Sequence, residues 1–309
     1  MHYPLTAERR DAVLDGLTKL WGGRPVVVDA QQVGHEWAPV TRLVFDGGTS
    51  VIVKTRRVDG EGHGGPAYLR REVAGLRTAE ASDVAARVIL TDDEAGVVVQ
   101  SDLGTWPTLE AVLLGDDTDR AAAAMIDFAR TVGRLHATTL GRRAEHEAAL
   151  AEFGTNALVT DHGVRLVDFE GARFGHPGFD ISFIHYPFPH HSANWCTLPE
   201  AIIRAADDAY RSTVALDGHD QLLAVGAAAA LASRVTRLPL IARDDQTPHD
   251  SWRRRAQIVQ QIGVFERLAD RAGVLPDLAR WSGELAAAMA ARWSDATCPP
   301  PRVFPAFDQ

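Results

Sequence analysis

NALVTDHGVRLVDFEGARFGHPGFD, residues Asn156 to Asp180, decides how this chain is read. It opens on the apolar run Ala157-Leu158-Val159, turns at Asp161-His162-Gly163, and returns through Val164, Leu166 and Val167 to Asp168. Two apolar runs joined by a short Gly-containing turn predict a β-hairpin. Such a hairpin sets Asn156 at the start of one strand beside Asp168 at the end of its partner. An amide oxygen and a carboxylate at one edge form a hard-cation site, of the oxygen-rich kind that Mg²⁺ takes beside phosphates. A surface hairpin with two polar ends is the plainer alternative for these residues taken alone.

The residues upstream add weight to the cation site. The chain carries 32 basic residues, of which Lys19 and Lys54 are the two lysines. Lys54 lies inside the strand-like run SVIVKTRR. A lysine point charge and an arginine fork are not equivalent at a phosphate, so a lysine kept here, in a chain that otherwise uses arginine, predicts a requirement for lysine chemistry. Eighteen residues on, Glu72 falls in PAYLRREVAGLRTA. Pro66 suits the first turn of a helix there, and Leu69, Val73 and Leu76 form its apolar face. Glu72 borders that face and is free to point inward.

Composition narrows the class of function. The chain has 309 residues, 46% hydrophobic and 24% charged, as expected of a globular protein with one large domain or two lobes. Its net charge of −9 argues against binding a nucleic-acid backbone as its main task. The longest charge-free apolar stretch of the C-terminal half, residues 221–233, is too short to span a bilayer. No N-terminal stretch reads as a signal peptide. Cys196 and Cys298 provide neither a disulfide framework nor zinc spacing. A cytoplasmic protein with no membrane or nucleic-acid partner is expected.

Along the chain, residues 5–20 predict a helix with Val13, Leu17 and Leu20 on one face. Strands are expected over 25–33, 40–45 and 50–55, the last two joined at Asp46-Gly47-Gly48. Another strand, Val97-Val98-Val99, runs into Gln100-Ser101-Asp102-Leu103-Gly104. Residues 120–138 predict a long helix with Met125, Phe128, Val132 and Leu135 inward and His136 as a core histidine. GRRAEHEAALAEF, residues 141–153, reads as a short charged helix. The run FIHYPFPHHSANWC holds His185, His190, His191 and Cys196, but without metal-ligand spacing. Thr197 and Glu200 predict a capping box at the head of a helical C-terminal third. The tail 298–309 is expected to be irregular.

Taken in order, these features resemble the aminoglycoside phosphotransferase and choline-kinase-like family, whose fold is that of the protein kinases. Asn156, Val167-Asp168-Phe169-Glu170 and Asp180-Ile181-Ser182 stand where that family has its metal-binding hairpin and D-[LI]-A motif. Arg134-Leu135-His136-Ala137 resembles its R-L-H-A, and Gln100 to Gly104 its hinge, where the resemblance implies that backbone groups meet an adenine. The resemblance covers about residues 25–215. It implies an α+β, two-lobed, protein-kinase-like fold: a small antiparallel-sheet N-lobe over 1–104, then a mostly helical C-lobe over 105–309 containing the hairpin 156–168. It implies ATP and Mg²⁺ as cofactors. Lys54, Glu72, Gln100 and Asp102 are the implied nucleotide-binding residues, and Asn156 and Asp168 the implied metal ligands.

One departure stands out. The family's catalytic-loop HGD is missing, and the position of its aspartate is Ala151. Losing a general base costs ~10²–10⁴-fold, whereas phosphoryl transfer depends mainly on positioning and electrostatics. Glu152 is the nearest substitute base and Glu147 a remoter one. The expected function is a diverged phosphotransferase acting on a small-molecule hydroxyl. The alternatives are a catalytically impaired pseudokinase that binds nucleotide or a small ligand, and a scaffold with the fold alone. From residue 200 onward 14 acidic residues face 13 arginines. That balance gives no support to a strongly cationic acceptor.

Overall fold

The computed structural model describes residues 5–33, 40–55, 66–141, 150–151, 157–169, 172–173, 175–188, 196–235, 238–242, 251–297 and 301–308. The chain divides into two compact units, Met1–Trp106 with Thr138–Phe174, and Pro107–Ala137 with Gly175–Gln309.

The first unit is built on a five-stranded antiparallel sheet in the order β1-β2-β3-β5-β4. Its strands are β1 (Val27–Gln32), β2 (Val40–Phe45), β3 (Ser50–Thr55), β4 (Val88–Asp92) and β5 (Val97–Ser101). Strand side chains alternate between faces, and here the two faces have separate tasks. Leu43, Phe45, Val51, Val53, Val97 and Val99 pack with Val13, Leu14 and Leu17 of helix α1 (Ala7–Trp21) into one buried core. The opposite face carries Arg42, Ile52, Lys54, Val98 and Gln100, aligned by the pairs Arg42–Ile52, Ile52–Gln100 and Lys54–Val98. Helix α2 (Pro66–Ala79) brings the buried Glu72 and Leu76 to the sheet. A core on one face therefore leaves the other free for polar chemistry.

The hairpin forms with β7 (Ala157–Thr160) and β8 (Gly163–Leu166) paired antiparallel, β6 being the short strand Leu150–Ala151. Gly163 takes the left-handed backbone (φ 96°) that closes the turn. The hairpin groups with the first unit. The cause is local. The Leu166 N–H donates to the Val84 carbonyl at 2.8 Å, and Arg165 donates to the Asp83 carbonyl. Both anchor points lie just beyond α2.

A helix over 141–153 is not what Leu150 and Ala151 adopt. They pair antiparallel with Ala172–Arg173 (β9), so sheet hydrogen bonds override the local helical preference. Residues 142–149 and 152–156 lie outside the described residues.

The second unit is helical: α3 (Leu109–Leu113), α4 (Thr118–Thr139), α5 (Pro177–Ile181), α6 (Glu200–Arg211), α7 (His219–Val235), α8 (Leu238–Ala242), α9 (Ser251–Ala272) and α10 (Pro276–Arg292). α5 meets α7 at Gly178 and Gly226, whose backbones touch so closely that a Cβ on either would collide with the other helix. The expected capping box fails. α6 starts after Pro199 with no side-chain cap, and Thr197 instead pairs with Val303. That pairing also corrects the tail, which is docked through the short strand Arg302–Val303 and the fully buried Phe304.

Candidate active site

Three strands and a helix bring the key charges of the first unit together. Lys54 Nζ donates to Glu72 Oε1 at 2.7 Å and to Asp168 Oδ1 at 3.0 Å. Glu72 is 1% exposed and also accepts from Gln100 Nε2 at 2.9 Å. The side chain of Asp168 is 42% exposed. One cation thus bridges a buried carboxylate that orients it and a second, half-exposed carboxylate. Burial pulls the Lys54 ammonium toward its neutral form, but Glu72 and Asp168 outweigh that pull and hold it above the ordinary lysine range. Lys54 is therefore charged throughout the neutral pH range.

Asp168 owes its direction to its backbone. It sits in the left-handed region (φ 66°), two residues beyond β8, a conformation aspartate tolerates better than most side chains. Phe169, next in sequence, is 2% exposed and anchors the end of the hairpin in the core. The hard oxygen donor at Asp168 suits a divalent cation, which beside phosphates needs only one or two carboxylates. Among the described residues no group of three or more His, Cys, Asp or Glu could hold a metal. Glu72 Oε2 is buried and has no hydrogen-bond partner among the described residues.

The side chain of Asp102, a residue expected at the nucleotide, is held within the first unit. Arg42 grips both its oxygens, Nε to Oδ2 at 2.6 Å and Nη2 to Oδ1 at 3.1 Å. Ser50 Oγ and the Gly104 N–H donate to the same carboxylate at 2.7 and 2.8 Å. Burial raises the Asp102 carboxyl, but the hydrogen bonds from Arg42 and Ser50 hold it below the ordinary carboxylate range. Its side chain shapes the segment after β5 and has little capacity left for a ligand. Arg42 carried no motif and was not singled out in the sequence. The pairing of β2 with β3, which sets Arg42 on the face of Lys54, was the signal that could have found it.

Glu152 and Asn156 lie outside the described residues, as do His190, His191 and the glycine-rich 60–65. In the second unit His136 is buried as expected. Its Nδ1 meets Tyr210 Oη at 2.8 Å and its Nε2 meets Asp180 at 3.2 Å. That chain ties the R-L-H-A segment to Asp180-Ile181-Ser182, so both motifs act as framework. His185 proves to be a framework residue too. Its Nε2 lies 3.2 Å from Asp207 Oδ1, with His219 Nε2 3.4 Å from the same oxygen. Burial pushes the Asp207 carboxyl up, but the two histidines outweigh it and hold the group far below the usual range. A carboxyl depressed in the folded state stabilises that state above its unfolded value of about 3.9, and the benefit fades as the pH falls toward the folded value. Asp207→Asn is expected to cost about 1–3 kcal/mol at pH 7 by weakening buried hydrogen bonds. Thermal melts should show a lower Tm, with the gap to wild type narrowing below about pH 4. An unchanged melting temperature at pH 7 would remove the cluster's structural role.

The sheet unit with its Lys–Glu pair and hairpin aspartate, and the helical unit, have a protein-kinase-like fold. The fold is shared with the amicoumacin kinase hAmiN, seen in complex with AMP-PNP, Ca²⁺ and Ami. That likeness has 12% identity, covers 86% of this chain and 96% of that one, and has a TM-score of 0.50. The choline kinase LicA of Streptococcus pneumoniae aligns over 93% of this chain and all of its own, at 12% identity and a TM-score of 0.41. The macrolide 2′-phosphotransferase MphH of Brachybacterium faecium aligns over 76% and 94%, at 15% identity and a TM-score of 0.45. No protein family matches the sequence, and no curated protein does. No helix among the described residues is long and apolar enough to cross a membrane.

Proposed function

We propose that this chain is a phosphotransferase that uses ATP and a divalent cation, Mg²⁺ in the cell, to phosphorylate a hydroxyl of a small molecule. The observation that carries the reading is the charge relay Gln100–Glu72–Lys54–Asp168, preassembled on one sheet face. Lys54 would hold the nucleotide's phosphates, Glu72 would fix the direction of Lys54, and Gln100 would keep Glu72 in place. Asp168, with Asn156, would hold the divalent cation, which when bound supplies charge neutralisation on the phosphates. The bound AMP-PNP and Ca²⁺ of the amicoumacin kinase complex support this choice of cofactors. A cytoplasmic site and a small-molecule acceptor belong to the same reading.

The base is the open position. Ala151 offers no carboxylate, and its backbone is taken up by pairing with Ala172. Glu152 is proposed as the substitute. Phosphate release and transfer to a panel of hydroxyl acceptors test it, with wild type compared against Glu152→Gln. Transfer that drops ~10²-fold or more in the variant, with ATP binding unchanged, gives Glu152 the role of base. Binding of Mg·ATP with no transfer in wild type supports the second reading, a nucleotide-binding pseudokinase, which Ala151 at the base position favours.

A further inference from the structure

The segment Ser101–Thr105 is fastened to the sheet by one residue. Arg42 spends Nε and Nη2 on Asp102, Nη1 on Thr105 Oγ1 at 2.7 Å, and Nη2 again on the Gly104 carbonyl at 2.9 Å. The arginine fork can meet four acceptors in fixed geometry, which a lysine cannot do. The pair is largely buried, with 14% exposure at Arg42 and 6% at Asp102. Trp106 Nε1 closes the segment by donating to the Leu103 carbonyl at 2.6 Å. Gly104 takes φ 92°, and a Cβ there would meet Trp106 Nε1 at 2.9 Å, so the turn demands glycine.

This fastening leaves one group open. The Leu103 N–H has no acceptor among the described residues, while its carbonyl is already used. The segment thus presents a rigid donor at the end of β5, on a strand whose Gln100 shares the face of Lys54. A planar heterocycle with a ring-nitrogen acceptor, joined to phosphates, has the chemistry to use both ends. Rigid placement of a donor lowers the ordering cost that binding would otherwise pay.

We propose that Arg42 is the positioning residue for nucleobase recognition: it presets the Leu103 N–H for a purine nucleoside triphosphate without touching the ligand itself. The inference rests on the nucleotide site proposed above and names the residue that controls the base, as distinct from the phosphates. Removing the clamp lets Ser101–Thr105 sample other backbone states, so affinity for the base falls. The phosphate end, held by Lys54 and Asp168, is unaffected.

The test compares Mg·ATP with Mg·tripolyphosphate, which has the phosphates and no base, by calorimetry on the full chain. Wild type is expected to bind ATP more tightly. Arg42→Gln should weaken ATP by ~10-fold or more and tripolyphosphate by less than ~2-fold, so that the ratio collapses. A general loss of fold would weaken both alike. Thr105→Val removes a single clamp contact and should shift the ratio the same way by ~2–5-fold in a folded protein, should Arg42→Gln fail to fold. If wild type binds ATP and both variants keep the wild-type ratio, the positioning role is overturned and the phosphotransferase reading stands. If wild type binds neither ligand, both fall together.

Discussion

Lys54→Met is expected to remove ATP turnover, by ~10²–10³-fold or more, because a preorganised cation at the phosphates is lost from a site where water is partly excluded. The same substitution has a cost in the absence of ligand. Glu72 is 1% exposed and shares its Oε1 between Lys54 and Gln100. Without Lys54 the carboxylate is buried with no counter-charge in its first contact, and breaking a buried pair in this way costs about 3–5 kcal/mol. Activity and stability are separable by a second change. Lys54→Met with Glu72→Gln removes both charges, and should recover much of the lost Tm while recovering no turnover. If the double variant regains ATP-dependent transfer, Lys54 is not the phosphate-binding group. If the single variant melts like wild type, the ion pair seen at 2.7 Å is not a stabilising one.

Asp168→Asn separates the metal from the fold. The Asp168 side chain is 42% exposed, and its contact with Lys54 is the more open of the two made by that lysine. A half-open ion pair contributes little, about 0–1 kcal/mol, so the melting temperature should move by only a few degrees. Asparagine also tolerates the left-handed backbone that residue 168 requires (φ 66°). The effect on chemistry is expected to be large, because a neutral amide is a much poorer ligand for a hard divalent cation than a carboxylate. Turnover at fixed ATP should fall by ~10³-fold, the scale of a lost transition-state electrostatic contact. Raising Mg²⁺ should recover part of it. Asp168→Asn with unchanged turnover and unchanged Mg²⁺ dependence would take the metal site away from the hairpin.

Much of this site could be read in the residues, for identifiable reasons. Two strands of the sheet, Val40–Phe45 and Ser50–Thr55, come out with the boundaries their alternation and the Asp46-Gly47-Gly48 turn predict. Lys54 and Glu72 were legible because a lysine is rare here and because Glu72 borders the apolar face of a helix begun by Pro66. The hairpin was legible from two apolar runs around a glycine. Strand β4, the edge strand Val88–Asp92, was missed, although Asp92-Asp93-Glu94-Ala95-Gly96 is a Gly-containing turn signal between it and β5. In α1, Val13 and Leu17 are buried as expected, but Leu20 is 57% exposed and Leu14 is buried in the core. A stripe read from spacing does not know where the sheet beneath it lies.

The less legible parts depend on partners far apart in sequence. The tie of the Asp102 side chain to Arg42, sixty residues before it, left no local signal. Leu150–Ala151 read as helix because the strand that pairs with it, Ala172–Arg173, follows the whole hairpin. His136 is the core histidine its helical spacing predicts, tied to Asp180 and Tyr210, while the bond of His185 to Asp207 joins residues 22 apart and left no local signal. Local pattern fixes elements well, while the long-range polar contacts decide which side chains remain available to a ligand.

Calorimetric titration of ATP into the wild-type chain, with and without Mg²⁺, tests the nucleotide site most directly. Saturable binding that strengthens ~10-fold or more with Mg²⁺, and loses that gain in Asp168→Asn, is the result expected of a working Lys54–Glu72–Asp168 site. No binding up to millimolar ATP, with or without the metal, would contradict it and leave the relay as inherited architecture without a nucleotide to hold.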